Sequence, residues 1–157
     1  MDINLLDNLS ETTRYKIYIL NNRNLDLAKT FSRNSDLKII NLGKEISSKL
    51  ITLNKSTHFD LFILDIAQSI IEQNIRQGPE SPHKIVVIEN LGILLEPTFK
   101  INVERFLAEI SKNVHLLILW SGQINQQGLL SWTLKKDLFN LDFTEYSPKL
   151  INYPNEI

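Results

Sequence analysis

Apolar residues along this chain fall into two rhythms. Short β-prone runs stand at residues 15–20 (YKIYIL), 37–42 (LKIINL), 84–89 (KIVVIE), 115–120 (HLLILW) and 141–146 (LDFTEY), and each is predicted as a strand. The third and fourth runs are almost wholly apolar, the pattern of strands covered on both faces of a parallel sheet. Between the runs lie segments long enough for the crossovers that parallel pairing requires. Helices are predicted over 26–32, 44–53, 59–75, 101–111 and 126–139. In the long one, Leu61, Leu64, Ala67, Ile70, Ile71 and Ile75 trace a helical stripe. Residues 59–65 (FDLFILD) taken alone also suit a strand ending in a carboxylate, but length and the continuing stripe favour helix.

At the start, Ile3, Leu5, Leu6 and Leu9 approach helical spacing and predict a short helix over 2–13. Residues 76–83 (RQGPESPH) combine glycine, two prolines and polar residues, and predict a surface loop. Residues 147–157 hold two prolines with no helical period and predict an extended tail that docks through Leu150, Ile151 and Tyr153. The alternation as a whole predicts one α/β domain over 1–157. Its architecture is a three-layer sandwich around a five-stranded parallel sheet in the order 5-1-4-3-2, with any ligand at the carboxyl ends near the first and fourth strands.

Composition narrows the class. With 157 residues, 43% hydrophobic and 22% charged, the chain has the length and balance of one globular domain, neither disordered nor fibrous. A net charge of −1 carries no global footprint of a nucleic-acid or membrane binder. The absence of cysteine excludes disulfides, thiolate metal sites and thiol nucleophiles, and makes cytoplasm the expected compartment. The opening MDINLLDNLSETTRYK places acids before any base and lacks the pattern of a signal peptide. No apolar stretch approaches the length that spans a bilayer.

The candidate chemistry follows the strands. After the first, residues 23–30 (RNLDLAKT) lie in register with the phosphate-loop pattern G-x-x-x-x-G-K-[ST]. That loop needs an ammonium on the β and γ phosphates and a hydroxyl on magnesium, at the start of a helix whose amides face the anion. Lys29 and Thr30 supply both groups. Arg23 and Ala28 stand where the pattern has glycine, which removes the freedom that lets backbone amides wrap around phosphate. Asp26 adds a repelling carboxylate, or else caps the short helix. The third strand ends in Glu89 and Asn90, at the positions where active P-loop enzymes hold magnesium with Asp and activate water with Glu. Glu89 holds magnesium through water in this reading, or merely ends a strand facing solvent. Asn90 cannot take a proton from the attacking water, so hydrolysis should be slow. Ser121, after the fourth strand, stands where a polar sensor meets the γ-phosphate, although Ser121-Gly122 also reads as a plain turn. The candidate nucleotide contacts are therefore Arg23, Asn24, Ala28, Lys29, Thr30 and Ser121, the magnesium ligands Thr30 and Glu89, and the catalytic positions Glu89 and Asn90. His58, His83 and His115 share no metal-ligand spacing and read as structural or solvated. Trp120 and Trp132 read as core or partner-facing, and Lys135-Lys136 is too short for a nucleic-acid patch.

Three stretches carry a more specific likeness: 40–50 (INLGKEISSKL), 86–113 (VVIENLGILLEPTFKINVERFLAEISKN) and 118–153. Together they resemble the BrxF family, small P-loop proteins of type-3 BREX bacteriophage-defence systems. The likeness covers most of the chain and is most specific in the middle stretch. It implies an ASCE-type, AAA+-like ATPase domain that binds ATP and Mg2+. It also implies a complex with a larger ATPase, a DNA methyltransferase and other defence proteins. Nucleic acid would be met only indirectly and membrane not at all, and a homo-oligomer is compatible with it. The chain departs from the family in lacking both loop glycines, so membership implies the complex more than the activity. Three readings follow: a weak ATPase subunit, a catalytically dead pseudo-ATPase acting as adaptor, and a receiver-like domain centred on Asp65. The last requires a strand at residues 60–65.

Overall fold

The computed structural model describes residues 13–21, 38–53, 59–77, 83–134 and 137–151. Their order begins with β1 (Ile17–Asn21), β2 (Ile39–Asn41), α1 (Leu42–Leu53) and α2 (Phe59–Gln73). β3 (Arg76–Gln77) and β4 (Lys84–Glu89) follow, then two 3-10 turns at Gly92–Leu95 and Pro97–Phe99, α3 (Val103–Ser111) and β5 (His115–Trp120). The last part is β6 (Gln123–Ile124), β7 (Leu129–Leu134), β8 (Asp137–Asp142), a 3-10 turn at Thr144–Tyr146, and β9 (Lys149–Ile151). The helices expected over 2–13 and 26–32 fall outside the described residues.

β2, β4, β5, β1 and β9 lie side by side in that order, every pair parallel, and β3 adds a short antiparallel piece to β4. The sheet is thus mostly parallel, and the chain is an α/β fold. Strand periodicity divides its side chains between two faces. Ile17, Ile19, Ile40, Val86, Ile88, Leu116, Ile118 and Trp120 join one core with the inner stripes of all three described helices. Those stripes are Leu42 and Ile46 of α1, Ile63, Ala67, Ile70 and Ile71 of α2, and Val103, Leu107 and Ala108 of α3. Tyr18, Leu20, Ile85, Val87, Leu117 and Leu119 form a second buried cluster on the other face. Each such aliphatic side chain removed from water contributes about 1.5–3 kcal/mol before the cost of ordering the chain. The wholly buried β5 is the centre of this arrangement.

Four expectations are corrected. Residues 126–139 are no helix: β7 and β8 pair antiparallel, with Leu130 opposite Leu141 and Trp132 opposite Phe139. The alternation of Leu130 and Trp132 with Ser131 and Thr133 has period two, which a helical stripe cannot satisfy. Residues 141–146 are not the last parallel strand: Leu141 and Asp142 finish β8, and the 3-10 turn follows. The place beside β1 is taken by Lys149–Ile151, within the stretch expected as a tail. Finally, Arg76 and Gln77, expected in a loop, pair with Ile85 and Lys84.

α3 starts where Asn102 accepts from the Arg105 amide at 3.0 Å. In α2 the continuous helix carries Asp65 on its exposed side, so the strand that a receiver-like reading requires is not formed.

Candidate functional site

Parallel strands bring their carboxyl ends to one edge, and register decides which residues meet there. Asn41 is paired with Glu89, Glu89 with Leu119, and Trp120 with Asn21. The edge therefore reads Asn41, Glu89, Trp120 with Ser121 behind it, and Asn21, from which residues 23–30 follow. β4 and β1 are separated by β5 alone, so Glu89 stands about 10 Å from the end of β1. Glu89 is half-buried and Ser121 exposed. Of the expected site residues, Glu89, Asn90 and Ser121 are thus gathered on one edge. Arg23, Asn24, Ala28, Lys29 and Thr30 lie outside the described residues.

Magnesium accepts oxygen ligands, commonly one or two carboxylates completed by water and substrate phosphates. The described edge carries one carboxylate, on the half-buried Glu89, and one hydroxyl, on the exposed Ser121. No group of three or more His, Cys, Asp or Glu side chains fit to hold a metal ion occurs among the described residues.

Asn90, directly after β4, is exposed and tied to the start of α1. Its backbone turns left-handed, at φ 51°. Its carbonyl accepts from the Gly43 amide at 2.6 Å, and its side-chain amide donates to Asn41 Oδ1 at 2.8 Å. Asn41 Oδ1 also accepts from the Lys44 amide at 3.1 Å. Two amides at the start of α1, those of Gly43 and Lys44, are satisfied in this way.

The residues that make this clasp were not singled out in the sequence, although it carries their signal. The triplet Asn-Leu-Gly occurs at 41–43, running from the last residue of β2 into α1, and again at 90–92, directly after β4. The two copies meet position for position. The asparagines hydrogen-bond each other, Leu42 and Leu91 are both buried in the helix-side core, and the glycine backbones touch. A Cβ on Gly43 would stand 2.8 Å from the Gly92 Cα, and one on Gly92 would stand 2.6 Å from the Gly43 Cα. Gly92 in addition adopts φ 54°. Only glycine at both positions allows this approach.

Next to Ser121 the β6–β7–β8 sheet begins. Trp120 Nε1 donates to the Ser131 carbonyl at 3.3 Å, and its ring meets Trp132 edge-on at 5.7 Å. Trp132 stacks on Phe139 at 5.4 Å. These aromatics attach the hairpin to the core.

The described histidines stand at the opposite end. His115 begins β5, and its Nδ1 is hydrogen-bonded with the Tyr18 hydroxyl at 3.2 Å; His83 meets its ring edge-on at 4.8 Å. Six-residue strands put this buried group roughly 17 Å from the carboxyl edge. His58 lies outside the described residues. A groove of about 450 Å3 opens between α2 and α3, floored by Leu64, Ile75, Phe106 and Ile110. Its rim carboxylate Glu109 already pairs with Lys112 at 2.9 Å, which holds its pKa below the ordinary glutamate value.

No helix among the described residues is long and apolar enough to cross a membrane. No protein-family model matches the chain, and neither a curated protein nor a solved structure matches it.

Proposed function

We propose that this chain is a nucleotide-binding, P-loop-type subunit of a bacterial anti-phage complex of the BREX kind, taking ATP and magnesium weakly and hydrolysing slowly. The observation that carries the reading is the carboxyl edge: the chain leaves β1 for residues 23–30 two strands away from Glu89, with Ser121 following the strand between them. In this reading Lys29 meets the β and γ phosphates and Thr30 holds magnesium. Backbone amides around Arg23, Asn24 and Ala28 approach the phosphates less closely than glycines would. Glu89 completes the metal shell through water, and Ser121 meets the γ-phosphate. The fold is then a three-layer P-loop sandwich, working in the cytoplasm beside a larger ATPase and a methyltransferase. An arginine from a partner or a second copy would raise turnover.

A second reading, an adaptor that has lost catalysis, is favoured by Asn90. Its side chain is engaged by Asn41 and has no basicity to activate water. Calorimetric titration of the full chain with magnesium-ATP, beside Lys29→Ala, separates the two. Saturable heat that vanishes in the variant is expected. No heat and no thermal shift at millimolar nucleotide would leave the adaptor reading standing.

A further inference from the structure

We propose that β8 is a dimerisation edge: two copies of this chain pair their β8 strands antiparallel about a two-fold axis at Phe139, joining two three-stranded sheets into one. This goes beyond the nucleotide reading and does not depend on it.

Sheet edges present unpaired amides and carbonyls, and folds ordinarily blunt them with short strands, prolines, lysines or bulges. The parallel sheet is blunted in this way, since its edge strands β2 and β9 have three residues each. β8, at the edge of the β6–β7–β8 sheet, is not. It runs six residues in unbroken register with β7 and holds no proline, lysine or glycine. The phase of the ladder decides which of its groups face outward. Phe143 donates to the Gly128 carbonyl at 3.1 Å, so the alternation of an antiparallel pair turns the backbone groups of Asp137, Phe139 and Leu141 toward β7 and those of Leu138, Asn140 and Asp142 away. The Asp142 amide is met by Glu104 Oε2 at 3.4 Å. Among the described residues nothing meets the outward amides and carbonyls of Leu138 and Asn140, and Leu138 is 65% exposed. The strand is held in place by the stack of Phe139 on Trp132 and by the Ser131 hydroxyl, which donates to Asn140 Oδ1 at 2.9 Å.

A second copy fits this edge because the edge is self-complementary. Turned about Phe139, Leu138 of one copy and Asn140 of the other become a hydrogen-bonded pair, and the reciprocal pair completes four backbone bonds. The two Phe139 residues come together at the close, non-hydrogen-bonded position, where aromatic pairs stabilise a sheet. Asp137 falls opposite Leu141 and not opposite a carboxylate. The same rotation brings the end of β8 that follows Lys135 and Lys136 to the end that carries Asp142 and Glu104, so opposite charges meet at both ends. Neither of those carboxylates has an ion-pair partner among the described residues.

The test is sedimentation equilibrium of the full chain over a concentration series, for wild type, Leu138→Pro, Leu138→Lys and Lys136→Glu, with urea midpoints to establish folding. Wild type is expected to pass from one 18.2 kDa chain to two as concentration rises, and no further. Leu138→Pro removes an outward amide that β7 does not use, and Leu138→Lys places a charge in the seam; the second carries the test should the first fold poorly. Each should raise the dimer dissociation constant about tenfold or more, in the first case through two hydrogen bonds lost per dimer. Lys136→Glu should weaken the dimer in the same direction. Because the chain has no cysteine, Leu138→Cys combined with Asn140→Cys reads the register: mild oxidation should link two chains, whereas Leu138→Cys alone should not. A single chain mass at every concentration, growth beyond two chains, or a dimer untouched by both Leu138 substitutions in folded protein would overturn the proposal. A dimer that the paired cysteines fail to link would overturn the axis at Phe139.

Discussion

Single residues decide whether the carboxyl edge forms. Gly43 and Gly92 stand where backbone meets backbone, so a methyl group on either has nothing soft to displace. Gly92→Ala adds overpacking to a left-handed φ, and the two together should cost about 2–4 kcal/mol. For a chain of this length that is a melting temperature lower by roughly 5–15 °C, readable by thermal or urea unfolding. Asn90→Gly, which keeps the permissive backbone, should lose less than Gly92→Ala. The asparagine pair was not foreseen because each residue is ordinary in its own segment. The pairing partner of Asn90 lies 49 positions away.

At the level of elements, the end of β8 is set by one carboxylate. Asp142 accepts from the Thr144 hydroxyl at 2.6 Å and from its amide at 2.9 Å, which stops the strand and starts the 3-10 turn. Those bonds favour the ionised form and lower the Asp142 pKa below its ordinary 3.8, chiefly through the hydroxyl. A folded pKa below the unfolded one means that the stabilisation is present above about pH 3.8 and is lost as pH falls through the folded value. Urea unfolding of wild type and Asp142→Ala between pH 2 and 6 should therefore show a gap that closes at the acid end. A gap unchanged down to pH 2 would refute the assignment. Here lies also the clearest misreading of sequence: leucines between 126 and 139 approximate a helical stripe, but Trp132 opposite Phe139 makes a hairpin. Cross-strand partners supply the stabilisation, and a single segment does not show its partner.

For the whole molecule, the order of strands puts β1 between β5 and β9. β9 covers the hydrogen-bonding edge of β1 along Tyr18, Ile19 and Leu20. A chain stopped at Pro148 should expose that edge and the half-buried Leu150 and Ile151 contacts, losing about 2–4 kcal/mol and gaining a tendency to associate. Urea midpoints and light scattering over a concentration series would check both. Retention of wild-type midpoint and monodispersity would show that β9 is dispensable.

The sequence alone determined the α/β class, the two central strands residue for residue, and the placing of α1, α2 and α3 to within a few residues. Burial on both faces requires unbroken apolar runs, and burial on one side requires a helical stripe, and both are local patterns. It also placed Glu89 and Ser121 at the ends of strands. Only the tertiary structure decided that residues 149–151 close the sheet, that 126–139 form a hairpin, and that the two Asn-Leu-Gly triplets meet. Each of these depends on which distant segment supplies a hydrogen-bond ladder or a close backbone contact. Edge strands of two or three residues are too short to carry a periodicity of their own, and a glycine or asparagine declares its role only when its neighbour in space is known.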